Sequence, residues 1–102
     1  MNIPPKYANP ANTETQAQSM LAICLMRKDR IMARLNKLDA LQQQTAQALA
    51  MVPGEQERKG LDGQLRAIGF EIATIRRDYL PASQAAISEW QASVNAERQE
   101  TP

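Results

Sequence analysis

The chain has 102 residues, no histidine, one cysteine (Cys24) and a formal net charge of +1. That length allows one domain with a small core. The composition removes the commonest general base and zinc ligand, excludes an internal disulfide, and provides no global field toward nucleic acid or an anionic membrane. Apolar residues make up 43% but aromatics only 4%, and Ala, Gln, Leu, Met, Arg and Glu dominate, so the expected fold is all-α.

Residues 1–12, MNIPPKYANPAN, carry Pro4, Pro5 and Pro10 and are expected to form an extended Pro-rich arm, since proline lacks the backbone donor and restricts the residue before it. Thr13 opens TETQ, a Thr and a Gln three apart that suit a capping box at a helix start, with Asn12 as the alternative cap. A 3-4 spacing then runs through Leu21, Cys24, Lys28, Ile31, Leu35, Leu38, Gln42, Thr45, Leu49 and Val52. No Gly or Pro interrupts residues 13–52, so one long helix with a coiled-coil-like seam is predicted.

Val52-Pro53-Gly54-Glu55 is the clearest break, with proline stopping the helix and glycine permitting a left-handed turn. Beyond it Leu61, Leu65, Ile68, Ile72, Ile75 and Tyr79 follow a 4-3-4-3-4 spacing, which predicts a second helix over about 56–79. Two helices joined by a short break pack antiparallel. Leu49 then stands level with Leu61, Leu38 with Ile72, Leu35 with Ile75 and Ile31 with Tyr79. Gln42 and Thr45 face Ile68 and Leu65, either as a polar layer that fixes register or at the edge of the seam.

The second helix is expected to end near Tyr79-Leu80-Pro81, followed by a short third helix after Pro81 with Ala86, Ile87, Trp90 and Val94 on one face. Residues 13–98 are expected to form a single domain and 99–102 a disordered tail. Met20 to Met26, MLAICLM, has no polar side chain. At about 10 Å as helix it is far too short to cross a bilayer, and no signal peptide is apparent: Ile23 stands where the LAIC stretch would need a small residue to be a lipoprotein box. A cytoplasmic location is the default. The third helix supplies one cover for this segment. A second copy of the chain is the expected further cover, through Met20, Leu21, Ile23, Leu25, Met26, Phe70, Ile87 and Trp90. The alternative is that the third helix and the arm, with Ile3 and Tyr7, wrap the segment within one chain.

Arg27, Arg30, Arg34 and Lys37 recur at 3-4-3 spacing along one flank of the first helix, with Lys28 beside them. This stripe, with Arg76 and Arg77, is the candidate anion or nucleic-acid contact. The competing expectation is a solvated flank paired with acids such as Glu71 and Asp78, with no exposed aromatic among the cations to stack on bases. Cys24 is expected in the core, as a small hydrophobe. Met20, Met26, Met32 and Met51 suit core filling or an adaptable contact surface.

No constellation of residues suggests a catalytic centre, a cofactor site or a metal site. The expectation is a small non-enzymatic protein–protein interaction module (adaptor, accessory or inhibitor subunit, of the sort mobile elements carry) that forms a homo-oligomer. The alternatives are a helical hairpin binding nucleic acid or nucleotide, and a structural component of a larger assembly such as a virion or secretion machine.

Overall fold

The computed structural model describes residues 14–100, without the Glu100 side chain. The expected arm, Thr13 and residues 101–102 lie outside the described residues. Helix α1 spans Gln16–Met51, α2 spans Glu55–Thr74, a π turn follows at Ile75–Tyr79, and α3 spans Leu80–Glu100. The described residues contain no strand, so the chain is an all-α antiparallel hairpin. At 36 residues α1 is about 54 Å long. The helical stretch that packs back along it runs from Glu55 to Glu100 without an intervening loop.

The helix start moves two residues from the expected one. Thr15, not Thr13, is the N-cap of α1: its hydroxyl accepts the Gln18 N–H at 3.2 Å, and its own N–H donates to the Gln18 side chain at 3.1 Å. Both residue pairs are Thr and Gln three apart, so the spacing alone does not choose between them. The reversal also differs from expectation, since Gly54 has φ −78° and ψ 134° and no glycine among the described residues has positive φ. Val52, held extended by the proline that follows, and Gly54, extended as the N-cap of α2, make the turn between them. Glu55 and Glu57 occupy the first turn of α2, where they complement the helix dipole.

The expected pairing is present at the middle of the hairpin. Leu35 and Leu38 from α1 form one buried cluster with Ile68, Ile72 and Ile75, and Ile31 and Met32 pack against it. Leu38, at 2% exposure, is the most deeply buried large side chain. Thr45 is buried too, but its hydroxyl donates to the Leu41 carbonyl of its own helix at 2.7 Å. It belongs to the seam and not to its edge, and its hydrogen bond is satisfied without a partner across the interface. The flank of Asp39 is tied by Arg76, 3.7 Å away across the helices.

Pro81 does not end a helix. It stands in the first turn of α3, immediately after the π turn, in which the Leu80 N–H bonds the Ile75 carbonyl five residues back. In a regular helix the ring of Pro81 would crowd the carbonyl of Arg77, and Arg77 lies within the widened turn. A π turn holds one residue more than an α turn. The seam of α2 at Ile68, Ile72 and Ile75 therefore resumes at Leu80, and continues as Ser83, Ile87, Trp90, Val94 and Glu97, all buried or half-buried. Tyr79, expected on the seam opposite Ile31, is displaced by about 100° of helix rotation and stands 57% exposed. The helix also carries on to Glu100, through the first residues of the expected tail.

Candidate functional site

The covering of α1 by α3 is incomplete. Ala17, Cys24 and Val94 are buried, Met20, Leu21, Ile87 and Trp90 are half-buried, and Ile23, Leu25 and Met26 remain exposed. Of the residues expected to join copies of the chain, Met20, Leu21, Ile87 and Trp90 thus have much of their surface covered within one chain. Phe70 is 72% exposed, on the side of α2 away from the seam, as its position predicts. The methionines divide: Met26 and Met51 face solvent, Met20 and Met32 are half-buried.

Between α1 and the returning helices runs a groove made of two adjoining cavities. One, of about 490 Å³, is lined by Cys24, Arg27, Arg30, Ile31, Tyr79, Ala82, Ser83 and Ala86. The other, of about 590 Å³, is lined by Arg30, Ile31, Arg34, Ala67, Phe70, Glu71, Thr74, Ile75 and Tyr79. Arg30, Ile31 and Tyr79 belong to both.

Sequence order explains the shape. On α1, the rim is the row Ile23, Arg27, Arg30, Arg34, Lys37 and Leu41, spaced 4-3-4-3-4 and exposed throughout. On the opposite wall the row is Ala67, Phe70, Thr74, Tyr79, Ala82 and Ala86, spaced 3-4-5-3-4, with the five falling at the π turn. Most of that wall is small. Three alanines and a threonine leave room over Ile31 and Cys24, while Phe70 and Tyr79 stand out of it. The Ser83 hydroxyl, on the floor of the first cavity, is buried and makes no hydrogen bond. Thr45, Thr74 and Ser93 each return theirs to the carbonyl four residues back.

The charges along the rim are unevenly used. Arg34 grips Glu71 through two bonds, Nε to Oε2 at 2.6 Å and a terminal nitrogen to Oε1 at 3.0 Å. These hydrogen bonds, then the charge attraction, raise the Arg34 guanidinium above its ordinary value. The same bonds are the main reason why the Glu71 carboxyl lies below its own, against a smaller upward push from burial. Arg27, Arg30 and Lys37 form no ion pair among the described residues. The expected joint anion pocket of Arg76 and Arg77 with Arg30 and Arg34 is not assembled: Arg76 reaches Asp39, Arg77 folds onto its neighbour Asp78, and neither lines the groove. Asp78 pairs in consequence with Arg77 and not with α1. No aromatic stands within the stripe itself, but Tyr79, from the opposite wall, lies in both cavities with Arg30.

Cys24 is buried, as expected of a small core residue, though it also forms part of the groove floor. Among the described residues no group of His, Cys, Asp and Glu side chains could hold a metal ion, and no helix is long and apolar enough to cross a membrane. The chain matches no protein-family model, no curated protein and no solved structure.

Proposed function

We propose that the chain is a non-enzymatic protein–protein interaction module that offers its groove to a helix of another polypeptide. The observation that carries this is the exposure of Phe70 and Tyr79 beside an apolar floor of Ile31, Cys24 and Ala86. Two packed helices with an open groove of small residues between them present the hole into which side chains of a third helix fit. Burying a side chain such as Phe70 contributes roughly 1.5–3 kcal/mol before the cost of association. A photo-reactive residue placed at Phe70, in cells that make the protein, is expected to cross-link strongly to another polypeptide, while one at Arg66 is expected to do so weakly. Equal labelling from both positions would defeat the proposal.

Self-association is the second part of the reading, and it rests on Ile23, Leu25 and Met26, exposed near the amino-terminal end of α1. Sedimentation over a wide concentration range should show a dimer or larger species, lost on Leu25→Glu. A monomer throughout removes this part and leaves the groove proposal standing. Nucleic-acid binding has one observation in its favour, the nearness of Tyr79 to Arg27 and Arg30, which could combine base stacking with phosphate contact. Its signature is binding to single-stranded oligonucleotides that weakens steeply with salt.

A further inference from the structure

The groove has a charge as well as a shape, and the charge selects among helices that would fit. Its α1 rim carries Arg27, Arg30, Arg34 and Lys37, and the one carboxylate that lines it, Glu71, is already engaged by Arg34. Arg27, Arg30 and Lys37 have no ion pair among the described residues. A helix seated beside that rim brings its flanking side chains next to these cations, where water is partly excluded and charges act more strongly. Lysines or arginines there would be repelled, and carboxylates would complete the pairing that the hairpin lacks.

The opposite flank behaves differently. There Asp39 meets Arg76 across the helices, and within α2 Asp62 meets Arg66. On the open side the charged residues without an ion pair among the described residues, Arg27, Arg30 and Lys37, are all cations. A second copy lying groove to groove would bring two of these cationic rims into one interface, each with its Glu71 already engaged. Like charges therefore disfavour the chain itself as the occupant here.

We infer that the groove takes an amphipathic helix of a different protein, with an apolar stripe flanked by glutamates or aspartates on the side that meets Arg27, Arg30 and Lys37. This rests on the reading of the groove as a helix-docking site and adds the chemistry of the partner. The apolar stripe enters between Phe70 and Tyr79 and over Ile31. One polar side chain of the partner, at the level of Ser83, supplies the hydrogen bond that its buried hydroxyl lacks. The lining of the opposite wall from Ala67 to Ala86 extends over roughly 28 Å, enough for about five turns of helix.

The test uses the full chain and two synthetic helical peptides of about 18 residues, five turns. Both carry the same leucine stripe, flanked in one by glutamates and in the other by lysines. Fluorescence anisotropy should show the glutamate peptide binding at least about tenfold more tightly than the lysine peptide, with the difference shrinking as salt rises from about 0.05 to 0.5 M. In the double variant Arg27→Glu, Arg30→Glu the preference should reverse. Both side chains are exposed, and circular dichroism verifies that the variant folds. If it does not, the two peptides on the unaltered chain still decide the matter.

Equal binding of the two peptides, lost on Phe70→Glu, would overturn the acidic partner while keeping the docking groove. Failure of both peptides to bind would overturn groove and partner together. A dimer of the chain alone that Phe70→Glu dissociates would assign the groove to a second copy. Single-stranded oligonucleotide competing with the glutamate peptide more strongly than the peptide binds would assign the rim to nucleic acid. Each of these last two outcomes also defeats the inference.

Discussion

The same two helical tracks meet at two levels of this hairpin with opposite results. At the middle, Leu35 and Leu38 meet Ile68, Ile72 and Ile75, branched side chains that fill the space between the helices and leave Leu38 2% exposed. Nearer the amino-terminal end of α1, Cys24 and Ile31 look across at Ala82, Ser83 and Ala86, and a cavity of about 490 Å³ remains, whereas at the middle the open space lies beside the seam, on the flank of Ala67, Phe70 and Thr74. Periodicity brings the helices together at both levels; side-chain volume decides whether they close a core or leave a groove. The filled level is the more sensitive of the two to substitution. Leu38→Ala should cost about 2–5 kcal/mol, since a cavity there has neighbours on all sides. Chemical denaturation with an unchanged m-value would measure it. A loss below about 0.5 kcal/mol would mean that the level is no better packed than the groove.

The join between the two levels is the extra residue of the π turn. Deleting Asp78 would bring Leu80 to four residues after Ile75, the spacing of a regular helix, with the α3 seam still in phase. Pro81 would then crowd an ordinary α turn, at a cost of about 3 kcal/mol or more. Deletion alone should therefore lower the melting temperature sharply, and deletion together with Pro81→Ala should recover most of the loss. If the double change is as damaging as the single one, the π turn has a role other than absorbing one residue and a proline.

That skip also separates what the sequence made legible from what it hid. Leu61, Leu65, Ile68, Ile72 and Ile75 fix one face of α2 without ambiguity, and the antiparallel hairpin follows from their match to α1. Tyr79 completes the same arithmetic but belongs to the next phase. The signal lies further along, where Leu80, Ser83, Ile87, Trp90 and Val94 resume the stripe one residue late, at 3-4-3-4 spacing. A serine and a proline among them obscure it. A Tyr79 on the seam leaves the cationic stripe on α1 without an aromatic across from it; the extra residue of the π turn supplies one. The groove was hidden for a related reason: Ala67, Thr74, Ala82 and Ala86 give no pattern of large apolar residues, and a groove consists of what those small residues omit.

A smaller effect, opposite in sign, is expected at the open level. Ala86 lines the first cavity and is half-buried, so Ala86→Leu should place its added carbons against Cys24 and Ile31. The gain is up to about 2 kcal/mol if the side chain fits without strain. Thermal or chemical unfolding reads the gain, and the filled cavity should bind a docking helix less well. Destabilisation comparable to that of Leu38→Ala would show that the groove closes in solution.

The smallest effect concerns the charge on the groove wall and its dependence on pH. Glu71 has its carboxyl lowered from the ordinary value chiefly by the hydrogen bonds from Arg34. A carboxyl with a lower value in the folded chain contributes stability that is present above its unfolded value, near 4.3 for glutamate, and is lost as pH falls through the folded one. Arg34 is shifted upward, so its share persists to strongly alkaline pH and does not change in the acid range. Asp78 is lowered by Arg77 in the same way, but these two are sequence neighbours, and their attraction partly survives unfolding. The acid-sensitive difference should therefore belong mainly to Glu71. Melting temperatures between about pH 6 and 2.5 should fall more for the unaltered chain than for Glu71→Gln, by a small margin because both partners are solvent-exposed. Salt should narrow that margin. Parallel curves for the two chains would show that the Arg34–Glu71 contact contributes nothing measurable, and would leave Arg34 as free to meet a partner's carboxylate as Arg27 and Arg30.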